Sequence, residues 1–156
     1  RQADDSRLVN DIAPLIAKQI GAVELTADQK EILIKGMSGL KERAKTLIEL
    51  AQSSSFYVTK GVASFNDKAQ SLIDDAPEGL FAALANDLSG LDTWQEESIE
   101  DVVRQIAEKR DLKLGKVAQP LRAVLTGSNS SPGIFEVMHV LGKPETLDRI
   151  RRFGAG

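Results

Sequence analysis

Side chains that could do chemistry are sparse in this chain. A histidine-based zinc site needs several histidines, and only His139 is present, set in the apolar run Val137-Met138-His139-Val140-Leu141. A lone histidine there reads as a helix-face residue rather than a ligand or catalyst. Cysteine is absent, which excludes disulfides and thiolate metal sites. Asp74-Asp75 and Glu96-Glu97 are paired carboxylates, but adjacent residues splay apart on a helix, whereas residues three or four apart share a face. Glu96 and Glu97 also suit a helix start, where negative charge is favoured. Ser128, Ser130 and Ser131 have no base partner nearby in sequence, so they do not suggest a nucleophile. Neither a GxxxxGKS/T run nor a GxGxxG run offers a phosphate cradle. The expectation is no catalytic residue, no metal ligand and no cofactor held by this chain.

Charge distribution is more informative than net charge, which is −3. Residues 1–112 hold 13 Lys and Arg against 20 Asp and Glu, a balance of −7. Residues 113–156 hold seven (Lys113, Lys116, Arg122, Lys143, Arg149, Arg151, Arg152) against Glu136, Glu145 and Asp148, a balance of +4. A polyanion should therefore meet the last quarter of the chain. Such an excess also occurs on ordinary solvated helices, and the negative total would suit a helical protein-interaction module instead.

The elements that must position these residues read as helices. Aromatics are only 4% of residues, so the core must be built from Leu, Ile, Val and Ala. Leu8, Ile12, Leu15, Ile16 and Ile20 follow helical spacing, with Pro14 predicting a kink or a late start and Gly21 a stop. Thr26 and Gln29 have capping-box spacing, and Gly36 and Gly39 should weaken the end of that helix. Leu40, Ala44, Leu47, Ile48 and Ala51 predict a third buried face, stopped by Ser53-Ser54-Ser55. Gly61 to Asp67 lacks a period and is the candidate joint. Beyond it come the faces Leu80-Phe81-Leu84-Leu88, then Ile99-Val102-Val103-Ile106 opened by Thr93 and Glu96, then Val117-Leu121-Val124-Leu125 closed by Gly127. Ser131 and Pro132 predict the N-cap and first residue of the next helix, and Gly142 and Pro144 mark the passage to the last. With no period-two runs, the prediction is all-α: two consecutive small helical bundles, 1–66 and 67–156. No apolar stretch is long enough to span a membrane. Arg1 is not an initiator Met and no signal-peptide pattern follows, so the chain looks like a piece of something longer.

One stretch carries a resemblance. Leu112-Lys113-Leu114-Gly115-Lys116-Val117-Ala118-Gln119-Pro120-Leu121-Arg122-Ala123-Val124-Leu125-Thr126-Gly127 is followed by Ser131-Pro132-Gly133-Ile134-Phe135-Glu136 and then Leu141-Gly142-Lys143. This resembles the anticodon-binding region of bacterial glutamyl-tRNA synthetases, written LKxGKxxQPLRxALTG, then SPGLFE, then LLGK. Val124 stands where that pattern has Ala. Trp94 falls where the family places a tryptophan, and Leu40 to Leu47 resembles a more weakly matched leucine–arginine–threonine–leucine helix upstream. The HIGH-type and KMSKS-type motifs of the family's catalytic half do not occur.

The resemblance implies a module that binds the anticodon loop of tRNA(Glu), with tRNA(Gln) as a second candidate, and that performs no catalysis itself. ATP and Mg would belong to a separate catalytic domain, a partner in the full-length protein. A cytoplasmic monomer is implied. In related synthetases the residues matching Arg122, Ser131, Pro132 and Ile134 contact the second and third anticodon bases, and the arginine matching Arg43 contacts the first. Ser131 keeps the hydroxyl of the family's threonine, and Ile134 keeps an apolar surface in place of leucine. Anticodon loops present splayed bases that planar side chains stack on and polar groups read at their edges. Arg122 supplies a planar fork; the hydroxyls of the turn and the N–H groups of the next helix would complete the rim. Lys113, Lys116, Arg149, Arg151 and Arg152 could follow phosphates.

Overall fold

The structure, a computed structural model, describes residues 2–154. Among the described residues there are nine α-helices and one 3-10 turn, and no strand. The all-α expectation holds. The chain divides into two compact units, Arg1–Lys60 and Gly61–Gly156. Residues 61–66, grouped by sequence with the first half, fall in the second unit, where the Gly61 N–H donates to Glu145 Oε2 at 2.8 Å and the Asn66 N–H to the Gly127 carbonyl at 2.9 Å.

In the first unit α1 (Gln2–Ile20) packs on α2 (Ala27–Lys41) and α3 (Leu47–Ser54), followed by the 3-10 turn Ser55–Tyr57. Pro14 lies inside α1 rather than starting it. The proline removes one helix hydrogen bond, at about 3 kcal/mol. Ile12 and Ile16 on either side are fully buried, and aliphatic burial at about 1.5–3 kcal/mol each outweighs that loss. The Thr26 capping box forms as expected: the Gln29 N–H donates to Thr26 Oγ1 at 3.1 Å, and the Thr26 N–H to Gln29 Oε1 at 2.8 Å. α2 runs past both glycines. At Gly36 an added Cβ would lie 2.8 Å from the Tyr57 ring, so this glycine makes room for the aromatic. The third face is not continuous. α2 ends at Lys41 and α3 starts afresh after Thr46, whose Oγ1 accepts from the Glu49 N–H at 3.0 Å. The break resets the helical phase, so Leu47 and Ile48 are 45% and 62% exposed while Leu50 and Ala51 take the core positions. Lys41 Nζ donates to Asp5 Oδ1 at 2.7 Å, tying α2 to α1. That bond raises the lysine pKa above its ordinary value, against a smaller opposing effect of desolvation.

In the second unit the order is α4 (Asp67–Asp74), α5 (Leu80–Ser89), α6 (Glu96–Lys109), α7 (Leu114–Thr126), α8 (Ile134–Leu141) and α9 (Lys143–Arg151). α7 packs against α4, α6, α8 and α9. Its Val117, Leu121, Val124 and Leu125 are fully buried, as are Ile99, Val137 and Ile150 from its neighbours and Leu84 of α5. α4 had no sequence prediction. α6 starts two residues later than Thr93 and Glu96 suggested: Ser98 Oγ accepts from the Gln95 N–H at 3.2 Å and donates to the Thr93 carbonyl at 2.9 Å. α8 also starts later than expected, at Ile134 after Gly133, so Ser131 is not its N-cap and Pro132 not its first residue. The Ser131 hydroxyl is engaged elsewhere. Trp94 Nε1 donates to the Met138 carbonyl at 2.8 Å, which gives the conspicuous tryptophan a structural role at the end of α8. Among the described residues no helix is long and apolar enough to cross a membrane.

Candidate nucleic-acid interface

The buried face of α7 fixes the position of Arg122, one turn before the helix ends. Gly127 ends α7 in the left-handed region (φ 77°), its N–H donating to the Ala123 carbonyl at 2.9 Å. A side chain there would be strained by φ and would also overlap the Ser64 carbonyl oxygen and Val62. The turn that follows is internally bonded. The Ser128 N–H donates to Thr126 Oγ1 and the Ser130 N–H to Ser128 Oγ, both at 3.1 Å. The chain then comes back beneath Arg122. Arg122 Nε donates to Ser131 Oγ at 2.8 Å and Nη1 to Gln119 Oε1 at 3.0 Å. The Ser131 hydroxyl donates in turn to the Pro132 carbonyl at 2.7 Å.

Arg122 is half-exposed, Ser131 and Ile134 are 7% and 4% exposed, and Pro132 is buried. The expected residues of this unit therefore divide by burial. Arg122 presents a planar cation at the surface, whereas Ser131, Pro132 and Ile134 lie beneath the rim rather than on it. The first-turn N–H groups of α8 do not start at Ser131, because the helix begins at Ile134.

Two residues that sequence reasoning passed over, and a third that it placed on the surface, complete the arrangement. Gln119, within the recognised motif, is the second brace of Arg122. Asn66 caps α4, its Oδ1 accepting from the Ala69 N–H at 2.8 Å, while Nδ2 faces Ser128 Oγ and Asn129 Oδ1 at 3.3 and 3.4 Å. Asn66 ahead of Asp67 and Ala69 is a readable N-cap signal, but it fell in the stretch taken as a joint. Arg149 is the third. Expected among the phosphate-following cations, it is 1% exposed: Nη1 donates to the Leu125 carbonyl at 2.6 Å and Nε to Glu145 Oε2 at 2.7 Å. Burial lowers its guanidinium pKa, opposed by Glu145. Its cation serves the Leu125 carbonyl in the last turn of α7 and the Glu145 carboxylate, and is not offered to a polyanion. Arg152 pairs with Asp148 at 3.0 Å on the surface, while Lys113, Lys116 and Arg151 are exposed.

Beside the rim is a cleft of about 480 Å³, with Asp67, Lys68, Ser71, Leu72 and Asp75 of α4 on one side and Gln119 and Asn129 on the other. Its walls mix amide, hydroxyl, carboxylate and ammonium groups.

Arg43 belongs to the first unit. It is exposed in the link between α2 and α3, where its N–H donates to the Leu40 carbonyl at 3.2 Å. The carboxylate pairs lie at helix ends, Asp74 and Asp75 closing α4 and Glu96 and Glu97 in the first turn of α6, all exposed. His139 is half-exposed on α8. Among the described residues no group of three or more His, Cys, Asp or Glu is placed to hold a metal ion.

An all-helical module with a braced arginine beside a polar turn is the class of protein that the fold and this site define. Comparison with known proteins is more specific: the chain matches the anticodon binding domain family over residues 7–153, and it belongs to that family. It is similar to glutamate–tRNA ligase 2 of Rhodospirillum rubrum, 45% identical over 151 residues covering 97% of this chain and 32% of that protein. It is also similar to glutamate–tRNA ligase 1 of Sphingopyxis alaskensis, 44% identical over 152 residues, covering 96% of this chain and 31% of the relative. Among solved structures, a glutamate–tRNA ligase from Elizabethkingia meningosepticum in complex with its amino acid superposes with a TM-score of 0.70 at 26% identity, covering 97% of this chain and 31% of that one. The chain thus spans about a third of the length of the relatives it matches.

Proposed function

We propose that this chain binds the anticodon loop of tRNA(Glu) and supplies anticodon specificity to a glutamate–tRNA ligase. The observation that carries the reading is the bracing of Arg122 by Ser131 and Gln119 at the mouth of a polar turn. A guanidinium oriented before binding loses little rotamer freedom when it meets a base, which favours discrimination. Arg122 makes the direct contact, with Ser131 holding it and the buried Pro132 and Ile134 supporting the floor beneath. Arg43 supplies a contact to a further anticodon base from the first unit. Lys113, Lys116 and Arg151 add salt-dependent, sequence-independent affinity.

Glutamate activation, with ATP and Mg, belongs to a catalytic partner domain; this chain contributes no catalytic residue and acts as a monomer in the cytoplasm. An anticodon stem-loop RNA and an acceptor-stem hairpin of equal length test the assignment. The chain should retain the first and release the second at moderate salt; equal retention of both contradicts it. The same titration with tRNA(Gln) separates a chain that reads one tRNA from one that accepts both.

A further inference from the structure

We propose that Asn66 is a positioning residue for specificity, setting the 127–130 turn against α4; its consequence for RNA rests on the function proposed above. The two ends of its amide do different work. Oδ1 accepts from the Ala69 N–H at 2.8 Å and caps α4. With Oδ1 so engaged, Nδ2 must face the turn, where Ser128 Oγ and Asn129 Oδ1 share it at 3.3 and 3.4 Å. The backbone makes the same connection, the Asn66 N–H donating to the Gly127 carbonyl at 2.9 Å. The segment before it is pressed against the turn at the one position without a Cβ, since Ser64 and Val62 would overlap any side chain at Gly127.

Each of these links ties the turn to α4. α4 forms one wall of the 480 Å³ cleft, and Asn129 from the turn with Gln119 from α7 forms the other. Gln119 is also the residue that braces Arg122. Asn66 therefore controls the spacing between the two walls and the orientation of Ser128 and Asn129, the polar groups beside the braced arginine. It needs no contact with RNA to do so. Turn groups that are held still before binding discriminate between bases better than groups that must be ordered on contact.

The dual role permits a clean test, because serine keeps the cap but is too short to reach Ser128 and Asn129. Asn66→Ser and Asn66→Ala are compared with the unaltered chain by thermal melting, by amide hydrogen exchange at Ser128 and Ser130, and by affinity for tRNA(Glu) and an anticodon-changed transcript. Asn66→Ser should melt close to the unaltered chain, exchange about 3–10-fold faster at those two amides, and lose about threefold in the ratio of the two affinities. Asn66→Ala should add a lowered melting temperature. Unchanged exchange in Asn66→Ser overturns the positioning role, whatever the RNA result. Faster exchange in a chain whose unaltered form already binds both transcripts equally upholds the positioning role and instead overturns the proposed anticodon reading.

Discussion

The two places expected to meet the anticodon are built in different ways. In the second unit Arg122 is anchored by two side-chain hydrogen bonds, on a helix whose inner face is fully buried and whose end is closed by Gly127 and buried Arg149. In the first unit Arg43 stands exposed in a short link, next to the exposed Leu47 and Ile48. A braced cation loses little freedom on binding and can refuse the wrong base. On the function proposed above, Arg122 is expected to carry the larger share of discrimination and Arg43 a smaller share at a further anticodon base.

The largest expected effect falls on the support of the braced site. Arg149→Ala leaves the Glu145 carboxylate without its buried partner and the Leu125 carbonyl without its donor, and should destabilise the second unit by about 3 kcal/mol in denaturant unfolding. Gly127→Ala should cost about 2 kcal/mol from the left-handed backbone and the overlap with Ser64, with a matching fall in melting temperature. Arg122→Ala should leave melting nearly unchanged while weakening tRNA binding by about 1–3 kcal/mol and reducing discrimination at one anticodon base. Arg43→Ala should weaken tRNA binding by under about 1 kcal/mol and reduce discrimination at a different anticodon base, by less than Arg122→Ala does at its own. If Arg43→Ala changed the ratio between tRNAs more than Arg122→Ala did, the contrast would be inverted.

Much of the second unit was legible in sequence because its helices are amphipathic and strongly punctuated. Leu80, Leu84 and Leu88, and Val117, Leu121 and Val124, all turn inward as spaced, and Gly127 takes the left-handed conformation that its position implied. α4 escaped because Ala69 is its only fully buried apolar residue, too little to make a stripe. The merged third face failed because spacing alone does not show that the link at 42–46 restarts the helix. Ser131 looked like an N-cap since serine before proline commonly is one; its hydroxyl is bound to Arg122, a partner nine residues away that local rules do not see. Arg149 looked like a surface cation for the same reason. Its partners are the Leu125 carbonyl, brought to it by tertiary packing, and the Glu145 carboxylate.

The most direct test of anticodon reading by this chain is its affinity for tRNA(Glu) against the same tRNA with one anticodon base changed, at fixed moderate salt. Discrimination of about tenfold, falling toward unity in Arg122→Ala, is the predicted result. Equal affinity of the unaltered chain for both RNAs, with the same salt dependence, would contradict it.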